Sequence, residues 1–282
     1  MGAIESMDLV GGPAPAALFF DVDGTLVWHR PDAGVGESVV SGRPSEGVYR
    51  AFAELSSRGH KTFICTGRPL CLVSDALRDL HPTGLVAGAG ATVVVDGDIV
   101  FSDPIPSDLV DEAAQRFLDL GAAVMFEGST ACVSLAAPSR ECVDFPGIET
   151  VRSVAELHRA ASGSTFDKVS FANSEVALIR RDSEFFDRHF TICDLGVGLS
   201  EMSVIGTDKG SGIRHALDAL GMAGARTFAF GDSENDLAMF GAVDVPVAMG
   251  NALPHVKEAA AYVTDAVEHD GVVSALRHFG LI

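Results

Sequence analysis

Two acidic clusters in this chain have the residue types and spacing to work on a charged, oxygen-rich substrate. In FFDVDGTL, Asp21 and Asp23 lie two residues apart directly after an apolar run. A turn through Gly24 brings both carboxyl groups near one point, where Thr25 can tie the loop to itself. Asp-Gly pairs also serve as plain turns, so this motif alone is as well explained by loop geometry. A second segment, GDSENDLAMF, supplies Asp232, Asn235 and Asp236 after another apolar run. By itself it reads equally as a capped helix with acids in its first turn. Together the two clusters say more. Four carboxylates gathered at strand ends would repel one another without a cation among them, and an all-oxygen ligand set points to Mg2+.

The elements that must carry these residues follow from periodicity. Residues 16–20 are a short continuous apolar run, read as a strand buried on both faces. Val48, Ala51, Phe52 and Leu55 give helical spacing over 45–58, with Gly59 just beyond. A second strand is expected at 61–65, then a helix reaching about residue 80, then a hairpin over 91–101 around Asp96-Gly97. From about residue 104 the texture changes to a helix (107–120), strands (122–126, 131–135), a helix (154–161) and short runs at 168–172, 176–179, 190–193 and 198–204. Strands grouped in this way predict an antiparallel α+β insert. After Asp208 the alternation returns, with helices at 209–220 and 235–240, strands at 227–230 and 245–248, and two further helices. The expected fold class is α/β: a parallel-sheet core formed by residues 1–103 and 204–282, interrupted by an inserted domain at 104–203. Ligands in such sheets bind at the carboxyl ends of strands, where both acidic clusters fall.

The chain has 282 residues, with 20 Lys and Arg against 39 Asp and Glu, a formal charge of −19. Such a surface repels phosphate backbones and anionic headgroups, so nucleic acid and membrane partners are not expected. A small anionic substrate would need a local cation. Five scattered cysteines without zinc spacing, and no basic residue in 1–10, lead to the expectation of reduced thiols and a cytoplasmic protein. GxxxxGK[ST], GxSxG and HExxH are all missing from the sequence.

In order along the chain, DVDGT at 21–25, a strand ending in Thr66 within FICTGR, Lys209 in GTDKGSGI, and GDSEND at 231–236 resemble the motifs of haloacid dehalogenase superfamily phosphatases. The likeness extends through the tail at 249–272 to the Cof-like subgroup IIB, which has a Rossmann-like core and a large C2-type cap inserted between the second and third motifs. The resemblance implies that Asp21 is the nucleophile, forming an aspartyl-phosphate, and that Asp23 is the general acid and base. It also implies Mg2+ on Asp21, Asp232, the Asp23 carbonyl and Asp236, and phosphoryl binding by Thr66, Gly67, Asn235 and Lys209. Two departures stand out. Gly88-Ala89-Gly90-Ala91 replaces the subgroup's Asn-Gly-Ala, and segment 28–44 is longer than usual. That segment is read as a surface loop, or as a flap through which Trp28, His29 or Arg30 touches substrate. Cys65 is expected in the core, and Lys168, Arg180 and Arg181 on the solvated surface of the insert, with the alternative that one of them faces the substrate's leaving group.

The expected function is Mg2+-dependent hydrolysis of a small phosphorylated metabolite, a sugar phosphate. The alternatives are a phosphomutase resembling phosphomannomutase, a receiver module, and a non-catalytic binding relative. A receiver has no use for an insert of about 100 residues.

Overall fold

The computed structural model describes residues 15–29, 41–142, 145–196 and 198–282. Its strands are β1 (Ala17–Phe20), β2 (Lys61–Cys65), β3 (Gly84–Ala87), β4 (Thr92–Val95), β5 (Asp98–Ser102), β6 (Ala123–Gly128) and β7 (Cys132–Ala136). They continue with β8 (Thr150–Val151), β9 (Phe166–Ala172), β10 (Phe190–Asp194), β11 (Leu199–Val204), β12 (Thr227–Gly231), β13 (Val245–Ala248) and β14 (Tyr262–Val263). The longer helices are α1 (Glu46–Ser57), α2 (Ser107–Leu120), α3 (Val154–Ala161), α4 (Ser183–His189), α5 (Lys209–Leu220) and α6 (Gly271–His278).

Among the described residues, one sheet of eight strands runs β14-β13-β12-β1-β2-β3-β4-β5. Its first six are parallel, and β4 and β5 add an antiparallel hairpin at one edge. The alternation of β1 explains its central place. Leu18 and Phe20 face a core made with Val48, Phe52 and Leu55 of α1 and Leu276 of α6. Ala17 and Phe19 face the opposite core, with Ile213 and Ala216 of α5. Phe20 stacks on Phe230 with centroids 4.6 Å apart, and Phe19 on Phe63 at 5.0 Å. Burying each such ring stabilises the layer by about 1.5–3 kcal/mol. From β1 the chain moves to β2 on one side, and it returns from the insert to β12 on the other. The ends of β1, β2 and β12 therefore meet at a topological switch point.

Helix α5 is held by its start. The Asp208 carboxylate accepts from the Ser211 amide at 2.7 Å, and the Ser211 hydroxyl accepts from the Asp208 amide at 3.0 Å, a reciprocal cap. The turn at Gly88–Gly90 packs against this end so closely that a Cβ on Gly90 would lie 2.0 Å from the Asp208 carbonyl oxygen, and its φ of +108° also favours glycine.

The second sheet runs β10-β11-β9-β6-β7-β8 and carries α2, α3 and α4 on one face, with a core of Phe117, Phe126, Val169, Phe186 and Met202. One residue out of step with that core, Glu127, Lys168 and Glu201 are buried as well. Lys168 is 4% exposed, so the expected solvated surface position is overturned: Glu127 and Glu201 on neighbouring strands hold its ammonium. Strands β3, β8 and β14 were not anticipated, and two expected elements take another form. The helix after Pro69 is two fragments, Leu70–Leu72 and Asp75–Arg78, because Val73 and Ser74 between them are extended. Residues Val176–Ile179, read as a strand, form a helical turn, since Glu175 before them turns inward to accept from the Ala123 amide at 3.0 Å. Among the described residues, no helix is long and apolar enough to cross a membrane.

Candidate active site

Asp21 leaves β1 with its amide bonded to the Phe230 carbonyl at 2.9 Å, which fixes the strand exit, and its side chain is buried. Asp232 follows β12, and Asp236 closes the next turn, where its Oδ2 accepts from the amides of Asp232 at 2.8 Å and Ser233 at 3.0 Å. Ligand oxygens of Asp21, Asp232 and Asp236 all lie within 4.8 Å of one another. Gly24, at φ +92°, passes so near that a Cβ there would sit 2.3 Å from Asp232 Oδ2. Asn251 closes the far side, donating to the Gly24 carbonyl at 2.9 Å.

Lys209, delivered by the first residue of α5, is almost wholly buried among these acids. Its Nζ lies 2.7 Å from Asp21 Oδ1, 2.6 Å from Asp236 Oδ1 and 3.2 Å from Asn235 Oδ1. Burial raises the Asp21 carboxyl, Asp236 raises it further and Lys209 opposes them, leaving it at about 7. Burial, with Asp21 and Asp236 alongside, pushes Asp232 well above the usual carboxylate range. One lysine does not offset three carboxylates, two of them buried. This set of oxygen donors with excess negative charge suits a hard divalent cation.

Asp23 stands apart. Its carboxylate turns from the cluster to Arg68, whose Nε donates at 3.0 Å and Nη2 at 2.5 Å, and to His29 Nε2 at 2.6 Å. Burial opposes ionisation, but the Arg68 charge and the His29 contact outweigh it and hold Asp23 well below the usual range. The expected gathering of four carboxylates is thus corrected to three, because Asp23 is paired with Arg68 and bonded to His29. Thr66, at the end of β2, accepts from the Arg68 amide at 3.1 Å through its hydroxyl. Gly67 lies under the insert, where a Cβ would be 3.0 Å from Glu201 Oε2.

Of the segment read as a possible flap, Trp28 is 48% exposed, His29 is on Asp23, and Arg30 lies outside the described residues. Cys65 is buried in the core, as expected. Arg68 and Glu201 were missed by the sequence reading. Arg68 follows Gly67 in FICTGR and was open to inspection. Glu201 was not, since only the register of β11 reveals that it reaches the core. Its Oε1 accepts from Asn235 Nδ2 at 3.0 Å while Lys168 Nζ donates to Oε2 at 2.8 Å.

Acids and a buried lysine at the switch point of a doubly wound sheet, beneath an inserted α+β sheet, are the layout of an α/β phosphohydrolase. The family model of haloacid dehalogenase-like hydrolases matches residues 18–276. The chain is 29% identical over 273 residues to YkrA of Bacillus subtilis (strain 168), a phosphatase by name, covering 94% of this chain and 98% of that one. It is 28% identical over 246 residues to the HMP-PP phosphatase of Serratia proteamaculans (strain 568), covering 84% and 85%. The solved structure of the HAD subclass IIB sugar phosphatase BT4131 superposes with a TM-score of 0.76 at 26% identity, covering 95% of this chain and 100% of that one. The chain belongs to the haloacid dehalogenase-like hydrolases and is a phosphatase of their Cof-like IIB subclass. Such enzymes act on phosphorylated small molecules and generally use Mg2+.

Proposed function

We propose that this enzyme is a Mg2+-dependent sugar-phosphate phosphatase working through an aspartyl-phosphate on Asp21. The observation that carries this reading is the meeting of Asp21, Asp232, Asp236 and Lys209 at adjacent strand ends, with Asp23 held beside them. Asp21, Asp232, Asp236 and the Asp23 carbonyl would hold the cation, which supplies positive charge against the repulsion between Asp21 and a phosphoryl dianion. Asp21 attacks phosphorus, the bond to the leaving oxygen breaks, and Asp23 gives that oxygen a proton. Asp23 then takes a proton from the water that attacks the acyl phosphate, regenerating Asp21 and releasing inorganic phosphate. The ionised resting state of Asp23 fits the second half. The first half requires its contacts with Arg68 and His29 to loosen as substrate enters. Thr66, Gly67, Asn235 and Lys209 would hold the phosphoryl oxygens.

A cleft of about 610 Å³ leads from Lys209 and Asn235 past Glu201 and Ser203 to Cys193 and Asp194 of β10. Carboxylates at Asp194, Glu201, Asp208 and Glu234 line it, and its His255 is paired with Glu234. A leaving group carrying carboxylate or a second phosphate would meet repulsion there, whereas sugar hydroxyls would meet acceptors. The domain division at 1–103 with 204–282, and 104–203, belongs to the same reading: the insert selects the leaving group and the core does the chemistry. Cytoplasmic residence is supported by five free thiols.

The test is phosphate release from a panel of sugar monophosphates, sugar bisphosphates and phosphoglycolate with Mg2+. Release from monophosphates at kcat/KM about tenfold or more above the bisphosphates and phosphoglycolate supports the reading. Preference for phosphoglycolate would overturn the sugar assignment, and isomerisation without phosphate release would mark a mutase.

A further inference from the structure

The five cysteines are all free, and two of them meet across the two parts of the molecule. Cys71 lies in the Leu70–Leu72 turn of the core, three residues beyond Arg68. Cys132 opens β7 in the insert. Their sulfurs are 3.6 Å apart although the residues are 61 positions apart in sequence, and the Cys71 thiol also donates to the Gly128 carbonyl at 3.2 Å. A disulfide needs the sulfurs at about 2.05 Å, so only a further approach of roughly 1.5 Å is required. Cys71 is exposed and reachable from solvent, while Cys132 is half-buried behind it.

We propose that Cys71 and Cys132 form a reversible redox modification site that, when oxidised by a low-molecular-weight disulfide, ties the inserted domain to the core and suppresses turnover. The thiolate of Cys71 attacks one sulfur of the small disulfide, forming a mixed disulfide and expelling one small thiolate. Cys132 then attacks the Cys71 sulfur, its proton passing to the second small thiolate as that leaves. Two protein thiols are oxidised and one small disulfide is reduced to two thiols. The order of attack follows from the surroundings: the hydrogen bond between the thiols lowers the Cys71 value and raises that of Cys132, and burial raises Cys132 further. The tether would join the hairpin between β6 and β7 to the segment that carries Arg68, and so restrict movement of the insert relative to the core.

The test treats the reduced protein with oxidised glutathione, then measures intact mass, the disulfide-linked peptides of a non-reduced digest, and turnover of a generic aryl phosphate. The expected result is a protein lighter by two hydrogens, a single linked pair of peptides containing Cys71 and Cys132, and a fall in turnover of about fivefold or more that dithiothreitol reverses. Cys71→Ser and Cys132→Ser should keep full turnover under the same oxidation. A stable glutathione adduct on Cys71, pairing with another cysteine, or a complete cross-link with unchanged turnover would each overturn the proposal. Because the cross-link is read by mass, it stands or falls separately from the catalytic reading.

Discussion

At the residue scale, the site is a balance of buried charge. Asp21, at about 7 against an ordinary 3.8, and Asp232 are both raised on folding, so between the unfolded and folded values the native state holds more protons than the unfolded chain. Stability from these groups is therefore present at low pH and lost as pH rises through the folded values. A divalent cation favours the ionised forms and offsets that loss. Mg2+ is expected to raise Tm by roughly 3 °C or more at pH 8 and by much less at pH 5, measured by calorimetry. Equal shifts at both pH values would contradict the charge balance described for the cluster. Asp21 and Asp232 were legible in the sequence because each directly follows a buried strand. The pairing of Asp23 with Arg68 was not, since it depends on β2 lying beside β1.

At the scale of elements, β1, β2, β12 and β13 were readable as short apolar runs and α1 from its spacing, whereas β3 and the two-residue β14 were not anticipated. Reading failed where tertiary contacts override local pattern. The run Val176–Ile179 looks like a strand but turns as a helix, and Lys168 looks like surface until β6, β9 and β11 align Glu127 and Glu201 around it. The position of Lys209 depends on the cap of α5. Asp208→Ala is expected to cost about 1 kcal/mol in chemical denaturation and to raise KM, because the first turn that carries Lys209 loosens. Unchanged stability would show that packing of Gly88–Gly90 alone holds this helix end.

At the scale of the whole molecule, a charge of −19 opposes the approach of a phosphorylated substrate, and one buried lysine acts only at contact. At low ionic strength this repulsion reaches well beyond the site, while at about 0.15 M salt it is screened within about 8 Å. With Mg2+ held constant, kcat/KM for a dianionic substrate should rise about twofold or more between low and physiological salt, with kcat little changed. A fall with salt would contradict the repulsion argued from the net charge.

The most direct measurement is the rate of inorganic phosphate release from the best substrate of the panel, with Mg2+ and with EDTA, for the native enzyme and Asp21→Asn. The account predicts release that requires Mg2+ and drops by about a thousandfold or more in the variant. Comparable release in EDTA, or from Asp21→Asn, would contradict it.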